Sequence, residues 1–292
     1  MWMGIPDFGR RHKFVWAMLA ALAVLIAQPR AGQAAGQPPD AIGDACSPRR
    51  FKIALDVGHT QSQPGATSAR GTPEFHYNQR LAQTVHTALA RAGISAVLIG
   101  AAGSPMQLLE RTRLAQVAGA DLFLSLHHDS VQPRYLSTWM VDGQARAYSD
   151  VFRGYSVFVS NENVRASDSL RFAALLGTAL RGAGFTPSLH HAEPIPGEGR
   201  PIVDAHLGIF RFDKLAVLRT AVMPAVLLEA GVIVHRGEEE QVRSPAFLDR
   251  LVMAVAGSVQ RYCSVTGIQD RPGPPLRGMR PDGAAQPSQA VQ

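Results

Sequence analysis

What most constrains this chain is a regular alternation between short apolar runs and amphipathic stretches. Phe51 to Val57, Ile94 to Ile99, Asp121 to Leu126, Tyr155 to Ser160 and Ala225 to Leu228 are the apolar runs, and each has the length of a buried strand. Between them, Glu74 to Ala92, Met106 to Ala118, Ser169 to Ala183 and Pro245 to Tyr262 carry a helical period. In the first of these, Leu81, Val85 and Leu89 share one face, and Gly93 supplies a stop. Strands that are apolar on both faces need cover on both faces. The pattern therefore predicts a single α/β domain with a largely parallel central sheet flanked by helices. Val131 to Arg153 and Thr186 to His206 break the alternation, being long, polar and Pro/Gly-bearing, and are expected as loops over one rim.

The ends of the chain differ from this middle. Arg10-Arg11-His12-Lys13 precedes a continuous apolar run from Phe14 to Ala27, and Gly32-Gln33-Ala34-Ala35 then offers small residues for cleavage. Residues 1–35 read as an export signal. The apolar run has 14 residues, short of the roughly 20 a membrane span needs, so no stable span is expected after processing. Arg10-Arg11 raises twin-arginine export, but the strong apolar core favours general secretion. Residues 36–50 form a linker, residues 51–263 the folded domain, and residues 264–292 a tail expected to be disordered. Export to a periplasmic or secreted location makes a disulfide between Cys46 and Cys263 chemically accessible, although two unpaired thiols fit the sequence nearly as well.

Charge excludes one class of partner. The formal charge is +6, and residues 1–35 hold four basic residues against one acidic, leaving +3 for the remainder. That excess is too small and too dispersed for a nucleic-acid footprint.

In an open α/β sheet, sites form beyond the carboxyl ends of strands. Asp56-Val57-Gly58-His59, Ser125-Leu126-His127-His128-Asp129 and Leu228-Glu229-Ala230-Gly231 end three of the runs, and Glu74 opens the first helix after a Gly/Pro loop. Glu74 also suits a helix start because exposed N–H groups favour an acid there. Two imidazoles and one carboxylate with a fourth position left open is a catalytic zinc arrangement, and a further carboxylate can serve as the base. His59, Glu74 and His127 are the candidate metal ligands for Zn²⁺, and Glu229, unpaired in an apolar strand, is the candidate catalytic base. Side chains alternate across a strand, so His127 and His128 cannot both enter one site unless the strand ends between them, and His128 is the rival ligand.

Several ordered stretches carry a family likeness. Asp56-Val57-Gly58-His59, Pro64-Gly65-Ala66, Gly71-Thr72-Pro73-Glu74, Ala120 to His127 and Pro224 to Gly231 resemble the zinc-dependent N-acetylmuramoyl-L-alanine amidases of bacteria, the cell-wall amidase 3 family. The likeness covers about Lys52 to Tyr262. It implies His59, Glu74 and His127 as zinc ligands and Glu229 as the catalytic glutamate. The implied substrate is peptidoglycan, cut at the amide joining the lactyl group of N-acetylmuramic acid to the L-alanine of the stem peptide. It also leaves room for an activator protein as partner, and for a covering segment, here Thr186 to His206, that gates the site.

The chain departs from that pattern in places. Thr60-Gln61 stand where the family usually has Gly-Gly, His128 replaces a small residue, and Val232-Ile233-Val234-His235 replace an aromatic and a Ser-Asn pair. A zinc peptidase, an amidase of another polymer, or a non-catalytic wall-binding regulator are the alternative readings. Among the remaining histidines, His76 lies two places after Glu74 and so faces another side of the helix. His190, His191 and His206 are expected in surface or loop packing, with a substrate contact or extra ligand as the bolder reading. Arg200 and Arg219 are candidates for holding stem-peptide carboxylates.

Overall fold

The computed structural model describes residues 51–266. The export segment, the linker, Cys46 and all but the first residues of the tail lie outside the described residues. Nine strands and six α-helices follow in the order β1 (Lys52–Val57), α1 (Glu74–Arg91), β2 (Ser95–Ile99), α2 (Leu108–Val117), β3 (Leu122–Asp129), β4 (Ser137–Val141), β5 (Gln144–Tyr148), β6 (Ser156–Val159), α3 (Ala166–Gly182), β7 (Ile202–Asp204), β8 (Ile209–Arg211), α4 (Ala216–Arg219), β9 (Ala225–Val232), α5 (Arg236–Arg243) and α6 (Pro245–Thr266). The central sheet has seven strands ordered β2-β1-β3-β9-β6-β8-β7. β2, β1, β3 and β9 run parallel, whereas β6 pairs antiparallel with β9.

Helices cover both faces, as strands apolar on both sides require. On one face, Ile53, Leu55, Leu124 and Leu228 pack against α1, α3 and α6 through Leu81, Val85, Phe172 and Leu251. On the other, Ala54, Phe123, Phe158 and Leu227 meet α2 and α4 through Ala115 and Leu218. Each fully buried Leu or Phe contributes roughly 2 kcal/mol to such a core. Gly93 ends α1 at φ 73, and the Ile94 N–H reaches back to the Leu89 carbonyl. Cys263 is buried on α6 and disulfide-bonded. Among the described residues, no helix is long and apolar enough to cross a membrane.

The two segments expected as loops contain more structure than that. Residues 131–153 hold the antiparallel hairpin of β4 and β5, turned by Asp142 and Gly143 at φ 49 and 77. Positive φ at both positions is the signature of a tight hairpin turn, for which Asp-Gly is a preferred pair. Trp139 of this hairpin donates its Nε1–H to the Ala69 carbonyl and lies beneath Arg70 and Arg236. Residues 186–206 contain a 3-10 turn at His190–Ala192 and strand β7, which pairs with β8 at the sheet edge.

Candidate functional site

The site lies at the carboxyl ends of β1, β3 and β9. β3 and β9 extend further than their apolar runs suggest, so His127 and Glu229 sit within the strands, directly opposite each other. Just beyond, between His127 and Asp129, the register shifts. Such a bulge re-aims side chains at the edge of a site.

His59 follows β1 in the left-handed conformation, φ 68, which costs a non-glycine residue roughly 1–2 kcal/mol. Arg111 of α2 holds that turn. Its guanidinium donates to Asp56 Oδ1 (2.6 Å), the Val57 carbonyl (2.5 Å) and the His59 carbonyl (2.5 Å), and Ser125 donates to the other Asp56 oxygen (2.7 Å). All three side chains, Arg111, Asp56 and Ser125, are buried.

Glu74 begins α1 and points inward rather than merely capping the helix. One of its oxygens lies 2.9 Å from His59 Nε2, the other 3.0 Å from His127 Nδ1. The Ala66 N–H, the Asn78 side-chain amide and the His128 N–H also donate to it. Burial alone would raise its pKa, but hydrogen bonds from His127 and His59 outweigh that and hold it far below the carboxylate range. Two glycines make the convergence possible. A Cβ at Gly58 would fall 2.4 Å from His127 Nε2, and one at Gly65 would fall 2.3 Å from Glu74 Oε2 and 2.6 Å from His59 Nε2. His59, Glu74 and His127 thus bring one donor atom each within 4.8 Å of one another. Two imidazoles and a carboxylate so placed fit a zinc ion.

His128 does not join them. It points to the opposite face of β3, where it is buried against Tyr77 with Nδ1 2.8 Å from Asn78 Oδ1. Burial lowers its pKa to about 4, so it stays neutral. Strand alternation thus decides between the neighbouring histidines in favour of His127.

Glu229 faces the site from β9. Its Oε2 is out of solvent and has no hydrogen-bond partner. Burial, then the charges of Asp129 and Glu74, push its pKa well above the usual carboxylate range. Together with His59 and His127 it lines a cavity of about 460 Å³, a size typical of small-ligand sites.

The segment 186–206 forms one wall of that cavity. His191 Nε2 lies 2.8 Å from Asp129 Oδ2, and His191 Nδ1 lies 2.9 Å from Glu198 Oε2. Gln132 donates to Glu198, and Tyr135 to Glu193. His190 is buried and His191 nearly so, which decides the expectation of surface or loop packing in favour of packing within the loop. Arg200 stacks 3.9 Å from the Phe212 ring centroid and lines the cavity. Arg219 is exposed, lies outside that lining and faces Glu162. His76 is exposed, as its helical position implied.

The departures from the expected motifs also have places. Thr60 closes a turn with Gln63 beside the site, through its amide and hydroxyl. Val232 and Val234 pack against Val131, and His235 caps α5 by accepting from the Gly237 and Glu238 N–H groups. Sequence reasoning did not single out Asn78, Arg111 or Asp129. Asn78 sits four residues after Glu74 on α1 and Asp129 two after His127 on β3, spacings that place each on its neighbour's face. For Arg111 no local signal exists.

Three converging nitrogen and oxygen donors beside a desolvated carboxylate, at the carboxyl rim of an α/β sheet, define the equipment of a hydrolase. Comparison with known proteins narrows that class. A family model described as N-acetylmuramoyl-L-alanine amidase matches residues 53–261. The chain belongs to that family of enzymes. The amidase AmiA of Salmonella typhimurium is 26% identical over 220 residues, covering 72% of this chain and 75% of the relative. The amidase LytC of Bacillus subtilis is 25% identical over 214 residues, covering 72% of this chain and 35% of LytC. The fold matches the solved amidase Ami1 of Mycobacterium smegmatis with a TM-score of 0.58 at 18% identity, over 73% of this chain and 96% of that one.

Proposed function

We propose that this enzyme uses zinc, held by His59, Glu74 and His127, to hydrolyse the amide between the lactyl group of N-acetylmuramic acid and the L-alanine of the peptidoglycan stem peptide, with Glu229 as the catalytic base. The observation that carries the reading is Glu229: a carboxylate whose Oε2 is kept from solvent without a hydrogen-bond partner, on the strand position facing His127. When bound there, zinc supplies Lewis acidity toward the scissile carbonyl and toward water. Glu229 takes the proton of the attacking water and delivers it to the departing alanine nitrogen. Its raised proton affinity suits it to hold that proton between the two events. Without metal, hydrogen bonds from His127 and His59 hold Glu74 charged, the form in which a carboxylate ligates zinc.

The localisation follows from the substrate. A peptidoglycan amidase works outside the cytoplasmic membrane, which gives residues 1–35 their export role, with residues 51–263 as the catalytic domain. The segment 186–206, docked along the cavity through His191 and Glu198, is the element that would gate access. Unchanged basal activity after its deletion would remove the gating role. The CwlD amidase of Clostridioides difficile has been solved in complex with the GerS lipoprotein, and an activator protein is the corresponding partner proposed here.

The test is muropeptide release by wild type and Glu229→Gln, with zinc content measured on both. Free stem peptides beginning with L-alanine, lost by roughly 10²–10⁴-fold in the variant while zinc is retained, are expected. A cut elsewhere in the stem would assign a peptidase instead. Activity within a few-fold of wild type would remove Glu229 as the base.

A further inference from the structure

A second group of donors converges beside the first. Asp129 lies two residues beyond His127 on β3, and its Oδ2 is 2.8 Å from His191 Nε2 and 3.4 Å from His190 Nε2. The donor atoms of Asp129, His190 and His191 all lie within 4.8 Å of one another. The 3-10 turn His190–Ala192 sets the two imidazoles side by side, with ring centroids 4.0 Å apart.

Each of the three is held from behind. Ser188 Oγ lies 2.8 Å from His190 Nδ1, and Glu198 Oε2 lies 2.9 Å from His191 Nδ1. The other oxygen of Asp129 accepts the Ser130 N–H at 2.8 Å. Partners on the far nitrogen are what orient a metal-binding imidazole, the carboxylate–histidine pair above all. The front atoms are then left to face one another. His190, with its side chain 2% exposed, faces Asp129 Oδ2 at 3.4 Å through Nε2 without forming a hydrogen bond there. A buried ring nitrogen without a hydrogen bond is unfavourable, and a bound cation would relieve it. An ion pair of His191 with Asp129 and Glu198 would satisfy those three residues and leave His190 Nε2 with only its longer contact to Asp129 Oδ2.

We propose that Asp129, His190 and His191 form a second divalent-cation site, distinct from the His59 centre, whose ion clamps the segment 186–206 onto the end of β3. Two imidazoles and one carboxylate suit zinc, whereas Mg²⁺ and Ca²⁺ favour all-oxygen sites. Asp129 and His191 line the cavity, so the ion's remaining position opens toward it. Asp129 comes from the same strand as His127, while both histidines come from the wall segment. Occupancy would therefore fix one wall of the cavity relative to its floor.

The experiment counts zinc on the full chain, stripped with a chelator and titrated with zinc alone. Two equivalents are expected for wild type. His59→Ala and the double variant His190→Gln, His191→Gln should each hold one, and their combination none. Amide hydrogen exchange gives an independent reading: in His59→Ala, zinc should slow exchange across 190–200 by tenfold or more. If the double variant fails to fold, His59→Ala decides alone through its remaining equivalent and its exchange. One equivalent in wild type and none in His59→Ala would overturn the second site, leaving an ion-paired latch only. That result would not touch the amidase reading, which stands or falls on Glu229→Gln and the products.

Discussion

At the scale of single residues, the absence of a side chain matters as much as its presence. Gly65 sits at φ 77, and a Cβ there would enter the space of Glu74 Oε2 and His59 Nε2. Gly143 has the same φ of 77, but a Cβ there meets nothing within 4 Å. Both Gly65→Ala and Gly143→Ala carry the backbone cost, about 1 kcal/mol. Only Gly65→Ala should also displace two donors, so its zinc affinity should fall at least tenfold while Gly143→Ala keeps wild-type affinity. Calorimetric titration of the two side by side checks this; equal affinities would mean the ligand atoms relax around the methyl. The three candidate ligands were legible in the sequence because they end strands or open a helix in a recognisable order. Asn78 was not, since a buried amide bridging Glu74 and His128 leaves no trace in a helical period beyond its polarity.

At the scale of elements, α2 does more than cover the sheet. Its Arg111 crosses to β1 and ties Asp56, Val57 and His59 together. Removing one partner from a buried ion pair strands the other, at roughly 3–5 kcal/mol. Arg111→Ala should therefore lower unfolding free energy by about that amount in urea, and should weaken zinc binding by releasing the left-handed turn at His59. Full zinc affinity in a folded Arg111→Ala protein would show that Gly58 and Glu74 hold His59 unaided. The apolar runs gave away β1, β3, β6 and β9, because burial on both faces leaves a continuous signal, and also the half-buried edge strand β2. They understated β3, whose last residues His127, His128 and Asp129 turn polar, and β9, where Glu229 interrupts the apolar run. The hairpin of β4 and β5 escaped because both strands are short and largely exposed, although Asp142-Gly143 is a turn signal that could have found it. β7 and β8, three residues each at the sheet edge, carry too short a period to read.

For the whole molecule, the site and the core share a boundary, so protons that reach the site also act on folding. His128 marks that boundary, beside Tyr77 and Asn78 and with its N–H on Glu74. Burial depresses its pKa to about 4, against roughly 6.5 in the unfolded chain. Above pH 6.5 the ring is neutral in both states, and its contribution to stability is fully present. Between 6.5 and 4 the unfolded chain takes up the proton and the folded one does not, so stability falls with falling pH. The loss attributable to this ring approaches roughly 3 kcal/mol near pH 4. Other groups titrate in the same window, so the measurement is a difference. Metal-free wild type and His128→Gln, which retains a donor for Asn78, are unfolded in urea at each half pH unit from 4 to 8. The gap between them should be constant above pH 6.5, with wild type losing ground steadily below it. A gap that stays constant down to pH 4 would mean that the folded protein admits a charged His128, and that the packing around Tyr77 and Asn78 is looser than its burial indicates.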